Sequence, residues 1–418
     1  MTEPGRILYI TYMGMTEPLL HSQGLSYLRG LCRKGYFIPI LSFEKKDAWH
    51  SGEAMSRFKD QFHAEGIQWV PVRYHKHPYV FSTLFDMVVG GLIGFVLSKK
   101  KKIHMIHARG TVPAIIGLAL KKCLGAKLLF DVRGLMAEEY IDGGLWKPKG
   151  WVYRAVSFLE RRLLAEADAV IFLTTRILNF FKTNHPELFS DHRLLKVIPS
   201  CVDLKRFVIR KEKDALLLKR LGLEGRFVFI YVGSLGTWYL LEEMLDFFKV
   251  AKEVIPSASF LILTQVRTPG LERRLSERGI GPSDVLVASC PPQEVPRYLS
   301  LADAGVCLIR PCFSKLSSSP TKFGEYLACG LPAVINGSVG DMDVLVEQEK
   351  VGVVLRQFER EHYRAAAASL VKLIQEGGEA LKERCRRVAE EHLALDKGIA
   401  EYETIYRGLS DSQTEEVL

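Results

Sequence analysis

Residues 304–336 read AGVCLIRPCFSKLSSSPTKFGEYLACGLPAVIN and predict a β-strand, a short helix and a second β-strand. The apolar runs at 304–309 and 333–336 are typical of strands in a parallel sheet, because helices bury both faces of such a sheet. Ser319 is a favoured N-cap, and Gly330 suits the left-handed residue that follows a helix of about ten residues. This stretch therefore predicts one strand–helix–strand unit of an α/β fold.

The same alternation of short apolar runs and longer helical patterns extends along the whole chain. Because strands that alternate with helices form βαβ units, the pattern predicts two parallel sheets covered by helices. The predicted strands are residues 7–12, 37–42, 67–72, 103–107, 127–131, 169–173 and 195–198 in the first half, and 227–232, 259–263, 285–288, 304–309, 333–336 and 351–355 in the second.

The pattern predicts two Rossmann-like domains, residues 1–200 and residues 201–395, with the hinge near Pro199. An amphipathic helix at about 396–418 follows the last strand at a distance, so we expect it to cross back to the first domain. We expect the two domains to face each other across a cleft at the carboxyl ends of their sheets, where α/β proteins bind ligands.

Composition excludes several classes of protein. The chain has 418 residues, of which 48% are hydrophobic and 25% charged, as in soluble globular proteins and unlike disordered or fibrous ones. The apolar run at 87–97 is shorter than the roughly 18 residues of a membrane span. The first strand begins near the N-terminus without a signal-peptide pattern, so we expect a cytoplasmic protein. Eight cysteines without CxxC spacing predict neither a metal site nor a disulfide framework.

The positive charge lies in the first half of the chain. Residues 1–200 hold 28 Lys and Arg against 17 Asp and Glu, or +11, and the remainder holds 29 against 31, or −2. A basic half attracts phosphate-bearing ligands or an anionic membrane surface, for which four consecutive lysines at 99–102 are suited; a solvated surface is the alternative. Nucleic acid is not expected as a partner, since no recognisable reading element is present.

The predicted helix near residue 320 carries a candidate site for a nucleoside diphosphate. Its N-terminus exposes unpaired amides and the positive end of the helix dipole, which suit a phosphate. Lys322 lies in the first turn, and Glu325, three residues later, can accept both hydroxyl protons of a ribose. An ordinary capped helix with a surface ion pair is the alternative. The donor-binding candidates here are Ser318, Ser319, Thr321, Lys322 and Glu325.

Two further candidates follow strands of the second domain. The segment Gly233, Ser234, Leu235 and Gly236 is a glycine turn between a strand and a helix, where backbone amides can approach an anion. A tight structural turn is the alternative. Arg267 follows the strand at 259–263 and is a second cation for the same edge, unless it is a solvated loop residue.

The first domain has a matching set of residues after three of its predicted strands. Charged residues beside glycines at one sheet edge favour a ligand, since buried arginines require an anionic partner. An internal pair between Asp131 and Arg133 is the alternative. The candidates are Gly14, Gln23 and Gly24 after the first strand, Arg109 after the fourth, and Asp131, Arg133 and Glu138 after the fifth.

Three segments of this sequence resemble glycosyltransferase family 4. They are residues 160–171 (ERRLLAEADAVI), residues 197–207 (VIPSCVDLKRF) and residues 321–332 (TKFGEYLACGLP). The resemblance extends over most of the chain, with the motifs in the expected order. It implies the GT-B fold, a nucleotide-sugar donor held by the second domain and an acceptor held by the first, retention of anomeric configuration, and no required metal or cofactor.

By this resemblance, Glu325 corresponds to the glutamate that binds the ribose hydroxyls, and Lys322 to a residue of the donor-phosphate site. The segment 233–236 corresponds to the loop after the second domain's first strand. Gly14, with the loop through Gly24, corresponds to the glycine loop of the first domain.

The sequence also departs from the family pattern. Ser317 stands where a glutamate eight positions before Glu325 is usual, Arg109 and Arg133 stand where histidines are frequent, and the basic pair after the Gly233 loop is absent. The donor phosphates would then be met by Lys322, helix amides and the arginines. The resemblance leaves the donor base and sugar open.

Two functions are therefore expected. The first is a retaining, metal-independent glycosyltransferase, with Lys322, Glu325, Arg109 and Arg133 as catalytic candidates. It would move a sugar from a UDP-sugar, in preference to a GDP-sugar, to a saccharide or lipid-phosphate-linked acceptor of surface polysaccharide synthesis, at the cytoplasmic membrane face. The second is a nucleotide-sugar-binding protein that has lost catalysis.

Overall fold

The chain divides into two compact units. The computed structural model describes residues 5–17, 20–50, 52–189, 193–236, 238–265 and 269–415. The first unit comprises Met1–Pro199 and Leu395–Leu418, and the second comprises Ser200–Ala394. The chain thus passes between the units near residues 199 and 394, so the C-terminal helix belongs to the unit that contains the N-terminus.

The first unit is built on a parallel sheet of seven strands in the order β3-β2-β1-β4-β5-β6-β7. The central strands are buried along their whole length, because helices cover both faces of the sheet. The strands are β1 Ile7–Thr11, β2 Ile40–Glu44, β3 Trp69–Arg73, β4 Met105–Arg109, β5 Lys127–Asp131, β6 Ala169–Phe172 and β7 Leu194–Val197.

Helices connect these strands and cover the sheet. A single π-helical turn, His21–Leu25, precedes the first of them. The helices are α1 Ser26–Arg33, α2 Lys46–His50, α3 Gly52–Ala64, α4 Tyr79–Lys101, α5 Thr111–Leu124, α6 Met136–Asp142, α7 Trp151–Glu166 and α8 Thr175–Asn184, with a 3₁₀ turn at Pro186–Leu188.

The second unit repeats this plan with a parallel sheet of six strands in the order β10-β9-β8-β11-β12-β13. The strands are β8 Phe227–Val232, β9 Ala258–Leu263, β10 Val285–Ala288, β11 Ala304–Cys307, β12 Ala333–Asn336 and β13 Gly352–Leu355. The helices are α9 Ala215–Leu221, α10 Leu241–Val254, α11 Leu271–Glu277, α12 Val295–Leu299, α13 Thr321–Ala328, α14 Met342–Glu349 and α15 Arg360–His392, with 3₁₀ turns at Pro292–Glu294 and Phe313–Ser317.

Two apolar clusters form the core of the second unit, one on each face of its sheet. Tyr326 of α13 belongs to the first, and Phe247 and Phe248 of α10 belong to the second, all fully buried. The long helix α15 contributes to both and is interrupted at Gly378, whose φ of 48° lies in the left-handed region. Helices α10, α13 and α15 therefore pack directly on the sheet.

All thirteen predicted strands occur in the described part of the chain, and their ends differ from the predicted ones by three residues or fewer. The helix of the opening stretch differs more. It begins at Thr321 with Pro320, not Ser319, as its N-cap, and it has 8 residues. Ser319 fails as a cap because its hydroxyl accepts a hydrogen bond from the Ser200 amide at 3.0 Å.

The C-terminal helix α16, Leu395–Glu415, packs against the first unit. Gly30 of α1 faces Ile399 so closely that a Cβ at residue 30 would stand 2.3 Å from the isoleucine side chain. Glu403 forms an ion pair with Lys34 at 2.5 Å. A side chain at residue 30 would therefore displace α16 from α1.

Helix α4 is longer and more apolar than the run at 87–97 indicated. It has 23 residues, and among the described residues it is the one helix long and apolar enough to cross a membrane by length and composition. It connects β3 to β4 and packs on α5, where Gly90 faces Ile116. It is therefore a crossover helix between two parallel strands of the first unit.

Candidate functional site

Each sheet reverses its strand order at one point, and the candidate residues lie at those points. In the first unit β1 lies between β2 and β4, and in the second β8 lies between β9 and β11. The loops that leave the two neighbouring strands there run to opposite faces of the sheet, which opens a crevice at the carboxyl ends. Gly14 and Gly233 follow strands at these points, and Arg109 is the last residue of β4.

Tyr326 fixes the orientation of α13 against the second sheet. Its hydroxyl accepts a hydrogen bond from the Val232 amide and donates one to the Val306 carbonyl, each at 3.2 Å. A Cβ at Gly305 would stand 2.2 Å from the tyrosine ring, so only glycine permits this approach. Because residues 322 and 326 share one face of the helix, the Tyr326 contacts direct Lys322 toward the end of β8.

Lys322 is buried among aromatic side chains. It is 5% exposed, and its Nζ lies 3.3 Å from the centre of the Tyr239 ring and donates a hydrogen bond to the Tyr231 hydroxyl at 3.3 Å. Among the described residues, no carboxylate lies within ion-pair distance of this ammonium. Cation–π contacts stabilise a desolvated ammonium only in part, so the site is suited to an anionic ligand.

The glycine turn after β8 approaches this ammonium directly. Gly233 has a φ of 129°, which favours glycine, and a Cβ there would stand 3.3 Å from the Lys322 Nζ. Its amide is bonded to the Leu263 carbonyl, and the Ser234 carbonyl accepts a hydrogen bond from the Tyr231 hydroxyl at 2.6 Å. Ser234 and Gly236 are exposed, whereas Leu235 packs into the core. The turn therefore places backbone beside the ammonium, as an anion site requires.

Glu325 lies one helical turn from Lys322 and is half-buried. Burial raises the pKa of its carboxyl, while the charges of Arg206 and Lys322 lower it. In the described part of the chain its carboxylate accepts no hydrogen bond. A partly buried carboxylate without donors is available to hydroxyl groups of a ligand.

A second lysine, which the sequence analysis did not identify, lies near the same turn. Lys315 is 6% exposed, and its Nζ lies 3.8 Å from the centre of the Trp238 ring. The Trp238 carbonyl accepts a hydrogen bond from the Arg310 amide, which ties this loop to the end of β11. The sequence feature that could have indicated Lys315 is the pair of aromatic residues at 238 and 239, which stand where the family has charged residues.

The remaining donor candidates surround the start of α13. Ser318 and Thr321 are half-buried there, and Ser319 is bound to Ser200 as described above. Ser317 is 2% exposed and donates its hydroxyl proton to the Ser314 carbonyl at 2.6 Å, so it belongs to the packing of the 3₁₀ turn. Arg267 lies outside the described residues.

In the first unit, a buried polar cluster forms at the ends of β4 and β5. We call it the Asp131 cluster; it contains His107, Arg109, Asp131, Arg133 and Tyr402. The Asp131 Oδ2 accepts from Arg133 at 2.9 Å and from the Tyr402 hydroxyl at 3.0 Å, with Arg109 at 3.5 Å. Oδ1 of Asp131 and Nη1 of Arg133 are buried without partners among the described residues.

The internal ion pair between Asp131 and Arg133 that the sequence offered as an alternative is present. Burial acts to raise the pKa of Asp131, but Arg133, the His107 hydrogen bond and Arg109 hold it well below its usual range. Burial lowers the pKa of His107 and so favours the neutral imidazole. Asp131 is thus an ionised, buried counter-ion of the arginines beside it. The charge of Arg133 is paired with Asp131, so its expected role toward the donor phosphate stays a prediction.

The glycine loop after β1 is held by a buried glutamate. Glu44, at the end of β2, accepts hydrogen bonds from the Met15 amide at 2.6 Å and the Thr16 hydroxyl at 2.9 Å. A Cβ at Gly14 would stand 2.5 Å from the Glu44 Oε2, so glycine is required for this contact. Sequence reasoning missed Glu44, although a glutamate that ends an apolar strand is an unusual feature.

Gln23 and Gly24 are buried in the π-helical turn, and Gly24 packs against Leu20. They therefore belong to the interior of the unit and do not form an open acceptor loop. Glu138 is half-buried and accepts a hydrogen bond from the Tyr153 hydroxyl at 2.8 Å.

Glu160 connects two of the candidate loops. Its Oε1 accepts from the Thr111 hydroxyl at 2.9 Å and the Met136 amide at 2.8 Å, at the starts of α5 and α6. Burial raises its pKa to about 7 although these hydrogen bonds lower it. The loops that carry Arg109 and Arg133 are thus joined to one titratable group.

No group of three or more His, Cys, Asp or Glu side chains suited to a metal ion occurs within the ranges that the structure describes.

Comparisons with known proteins identify the fold. Residues 25–185 match the family model described as a glycosyl transferase 4-like domain. No curated protein matches the chain in sequence. The structure is similar to that of Anabaena HepE in complex with UDP, with a TM-score of 0.71, 13% identity, and coverage of 96% of this chain and 99% of that chain.

Two further solved structures have the same arrangement. Sucrose-phosphate synthase from Thermosynechococcus elongatus matches with a TM-score of 0.68 and 16% identity over 98% of this chain and 100% of that chain. WaaG, a glycosyltransferase involved in lipopolysaccharide biosynthesis, matches with a TM-score of 0.67 and 13% identity over 95% and 99%. The GT-B fold is thereby confirmed, as is the resemblance to glycosyltransferase family 4, and both support a glycosyltransferase.

Proposed function

We propose that this chain, which has the GT-B fold and a glycosyl transferase 4-like domain, is a retaining glycosyltransferase that uses a nucleotide-sugar without a metal ion. The observation that carries the proposal is the buried ammonium of Lys322, which lies against Gly233 without a carboxylate partner among the described residues. A donor diphosphate supplies the missing negative charge, and Glu325 accepts the hydroxyl protons of its ribose.

The proposed reaction breaks the bond between the anomeric carbon and the diphosphate and forms a bond to an acceptor hydroxyl oxygen. Negative charge develops on the departing diphosphate, where Lys322, the amides of residues 234–236 and the start of α13 stabilise it. The acceptor proton passes to the departing phosphate. One well-placed donor to such an oxyanion accelerates a reaction by about 10² to 10³.

The donor is proposed to be a UDP-sugar. HepE, which shares the fold, has been solved with UDP and with UDP-glucose. The acceptor is proposed to be a saccharide or a lipid-phosphate-linked glycan of surface polysaccharide synthesis, bound by the first unit. The net positive charge of residues 1–200 supports a phosphate-bearing acceptor.

Two substitutions test the donor site. Lys322→Met keeps the apolar stem and removes the charge, and Glu325→Gln keeps the shape and removes one carboxylate acceptor. Thermal shift with UDP, GDP, ADP, CMP and TDP measures binding, because a ligand at 100 times its Kd stabilises by about 2.7 kcal/mol. We expect UDP to give the largest shift, and both substitutions to reduce it.

A matched pair provides the control. Glu379 and Lys382 of α15 have the same spacing of three residues and form an ion pair of 2.6 Å at the surface. Glu379→Gln and Lys382→Met should leave nucleotide binding unchanged. Equal effects of the two pairs of substitutions, or the absence of any nucleotide shift, would refute the donor site.

A binding protein without transferase activity is the second candidate. The observation that favours it is Ser317, a buried residue bonded to the Ser314 carbonyl where the family has a glutamate near the donor sugar. Binding of a UDP-sugar with neither sugar transfer nor slow hydrolysis of the donor would support this candidate. Product formation that is lost in Lys322→Met would exclude it.

A further inference from the structure

Helix α4 has its apolar side directed away from the protein. Six of its apolar side chains are 52% to 74% exposed and recur at spacings of one to four residues, so they form one stripe. We call this stripe the outer face of α4; it consists of Phe81, Leu84, Phe85, Val88, Leu92 and Val96.

Apart from Leu97, the buried residues of α4 are small or polar. Ser82, Asp86, Gly90, Gly94 and Ser98 are all buried against the first unit. A Cβ at Gly90 would stand 2.6 Å from the Phe43 ring, and one at Gly94 would stand 2.9 Å from Leu120. The helix therefore packs through backbone and small residues, which reverses the usual arrangement of a surface helix.

The acidic residue of α4 is fully occupied inside the protein. Asp86 is 0% exposed, accepts from the Tyr12 hydroxyl at 2.9 Å and lies 2.6 Å from Nδ1 of His75. Every well-exposed side chain from Tyr79 to Val96 is apolar or aromatic. The outer face thus offers no acidic group and almost no hydrogen-bonding group.

Cations stand at the C-terminal end of this stripe. Lys99 and Lys100 continue the same side of the helix and are exposed, and the Lys101 carbonyl accepts a hydrogen bond from Arg6. A groove of about 430 Å³ opens beside them between Val70 and Val96, with Lys100 in its lining. An apolar groove with ammonium groups at one end suits a phosphate that carries an acyl chain.

We propose that the outer face of α4 docks on the surface of an anionic lipid bilayer, with the helix lying in the plane of the interface. A helix of 23 residues is about 34 Å long, so the stripe contacts the bilayer along its full length. Large apolar side chains enter the headgroup–acyl boundary, and the lysines bind lipid phosphates.

A bilayer fits this surface better than a protein does. Protein interfaces contain about one hydrogen bond per 100–200 Å², whereas a lipid surface requires none from an apolar stripe. The lysines at one end add charge complementarity to an anionic leaflet. This inference goes beyond sugar transfer and does not depend on the donor site.

Sedimentation of the full chain with vesicles tests the proposal. One set of vesicles is phosphatidylcholine alone, and the other contains 30% phosphatidylglycerol. We expect binding to the anionic vesicles that weakens as salt is added, because exposed charges are screened. The variant Val88→Glu with Leu92→Glu should bind at least tenfold more weakly to both sets.

The control variant replaces an exposed apolar residue of the second unit by glutamate. Leu216 of α9 is 80% exposed in the second unit, and Leu216→Glu should leave vesicle binding unchanged. Lys99→Ser with Lys100→Ser should weaken binding to anionic vesicles about 25-fold, at about fivefold for each lysine, and should not affect neutral ones. Since residues 88 and 92 are exposed, the face variant should retain its melting temperature and any UDP shift.

Three results would overturn the proposal. The first is a wild-type chain that does not sediment with either set of vesicles. The second is equal loss of binding in Leu216→Glu and in the face variant. The third is a wild-type dimer in sedimentation velocity that Val88→Glu with Leu92→Glu converts to a monomer, which would make a second copy of the chain the occupant.

Discussion

Replacing Glu160 by glutamine should flatten the pH dependence of stability of the first unit. Burial raises the pKa of this carboxyl from 4.5 to about 7. Between these values the folded chain holds a proton that the unfolded chain has released, so the free energy of unfolding falls as pH rises. A shift of this size corresponds to roughly 3 kcal/mol, present below pH 4.5 and lost as pH rises through 7.

Glutamine can preserve two of the three hydrogen bonds that Glu160 accepts. The Thr111 hydroxyl and the Met136 amide both donate to Oε1, which an amide oxygen can replace, whereas the Ala137 amide approaches Oε2 at 3.4 Å. We therefore expect the free energy of unfolding of Glu160→Gln, measured relative to that of the wild-type chain, to increase by roughly 3 kcal/mol between pH 4.5 and pH 8. The difference arises because only the wild-type protein has a buried carboxyl group at residue 160 that loses its proton as pH rises.

Urea unfolding followed by tryptophan fluorescence measures this difference. Four of the five tryptophans, at 49, 69, 146 and 151, lie in the first unit, so the signal reports chiefly on that unit. Asp60→Asn is the control, because Asp60 is exposed on α3. Parallel pH profiles for Glu160→Gln and the wild-type chain would refute the reasoning, as would an equal change in Asp60→Asn.

Three further substitutions have defined outcomes. Asp131→Asn leaves Arg133 buried without its counter-ion, so urea unfolding should show a loss of about 3–5 kcal/mol; a change under 1 kcal/mol would contradict the ion pair. Tyr402→Phe removes a hydroxyl bonded to both residues and should lower the free energy of unfolding by about 1–3 kcal/mol in the same assay. An unchanged value would show that packing alone holds α16. Gly233→Ala places a Cβ at a φ of 129° beside Lys322, and calorimetric titration should show at least tenfold weaker UDP binding; unchanged affinity would exclude this turn from the donor site.

The sequence identified the strands because their signal is local. Thirteen apolar runs between helical patterns are sufficient to predict two parallel sheets, and the ends of those strands indicate which residues can meet. Lys322 and Glu325 were identifiable for the same reason, since both lie on one short helix with a recognisable end at Gly330. The prediction of Ser319 as the N-cap of that helix was wrong, because its hydroxyl is bound to Ser200, a residue more than a hundred positions away.

Other features depend on distant partners and needed the tertiary structure. The sequence offers Asp131 as a possible partner of Arg133, but the second partner, the Tyr402 hydroxyl, lies 269 positions later and is identified only by the fold. The apolar run at 87–97 does not show which side of helix α4 is buried, and only its packing shows that Gly90 and Asp86 lie inside while Phe81 and Leu92 lie outside. The sequence determines which side chains share a face, because helical and strand periods are local. Which face is buried, and which charge is neutralised, depends on contacts between distant segments that form only when the chain folds.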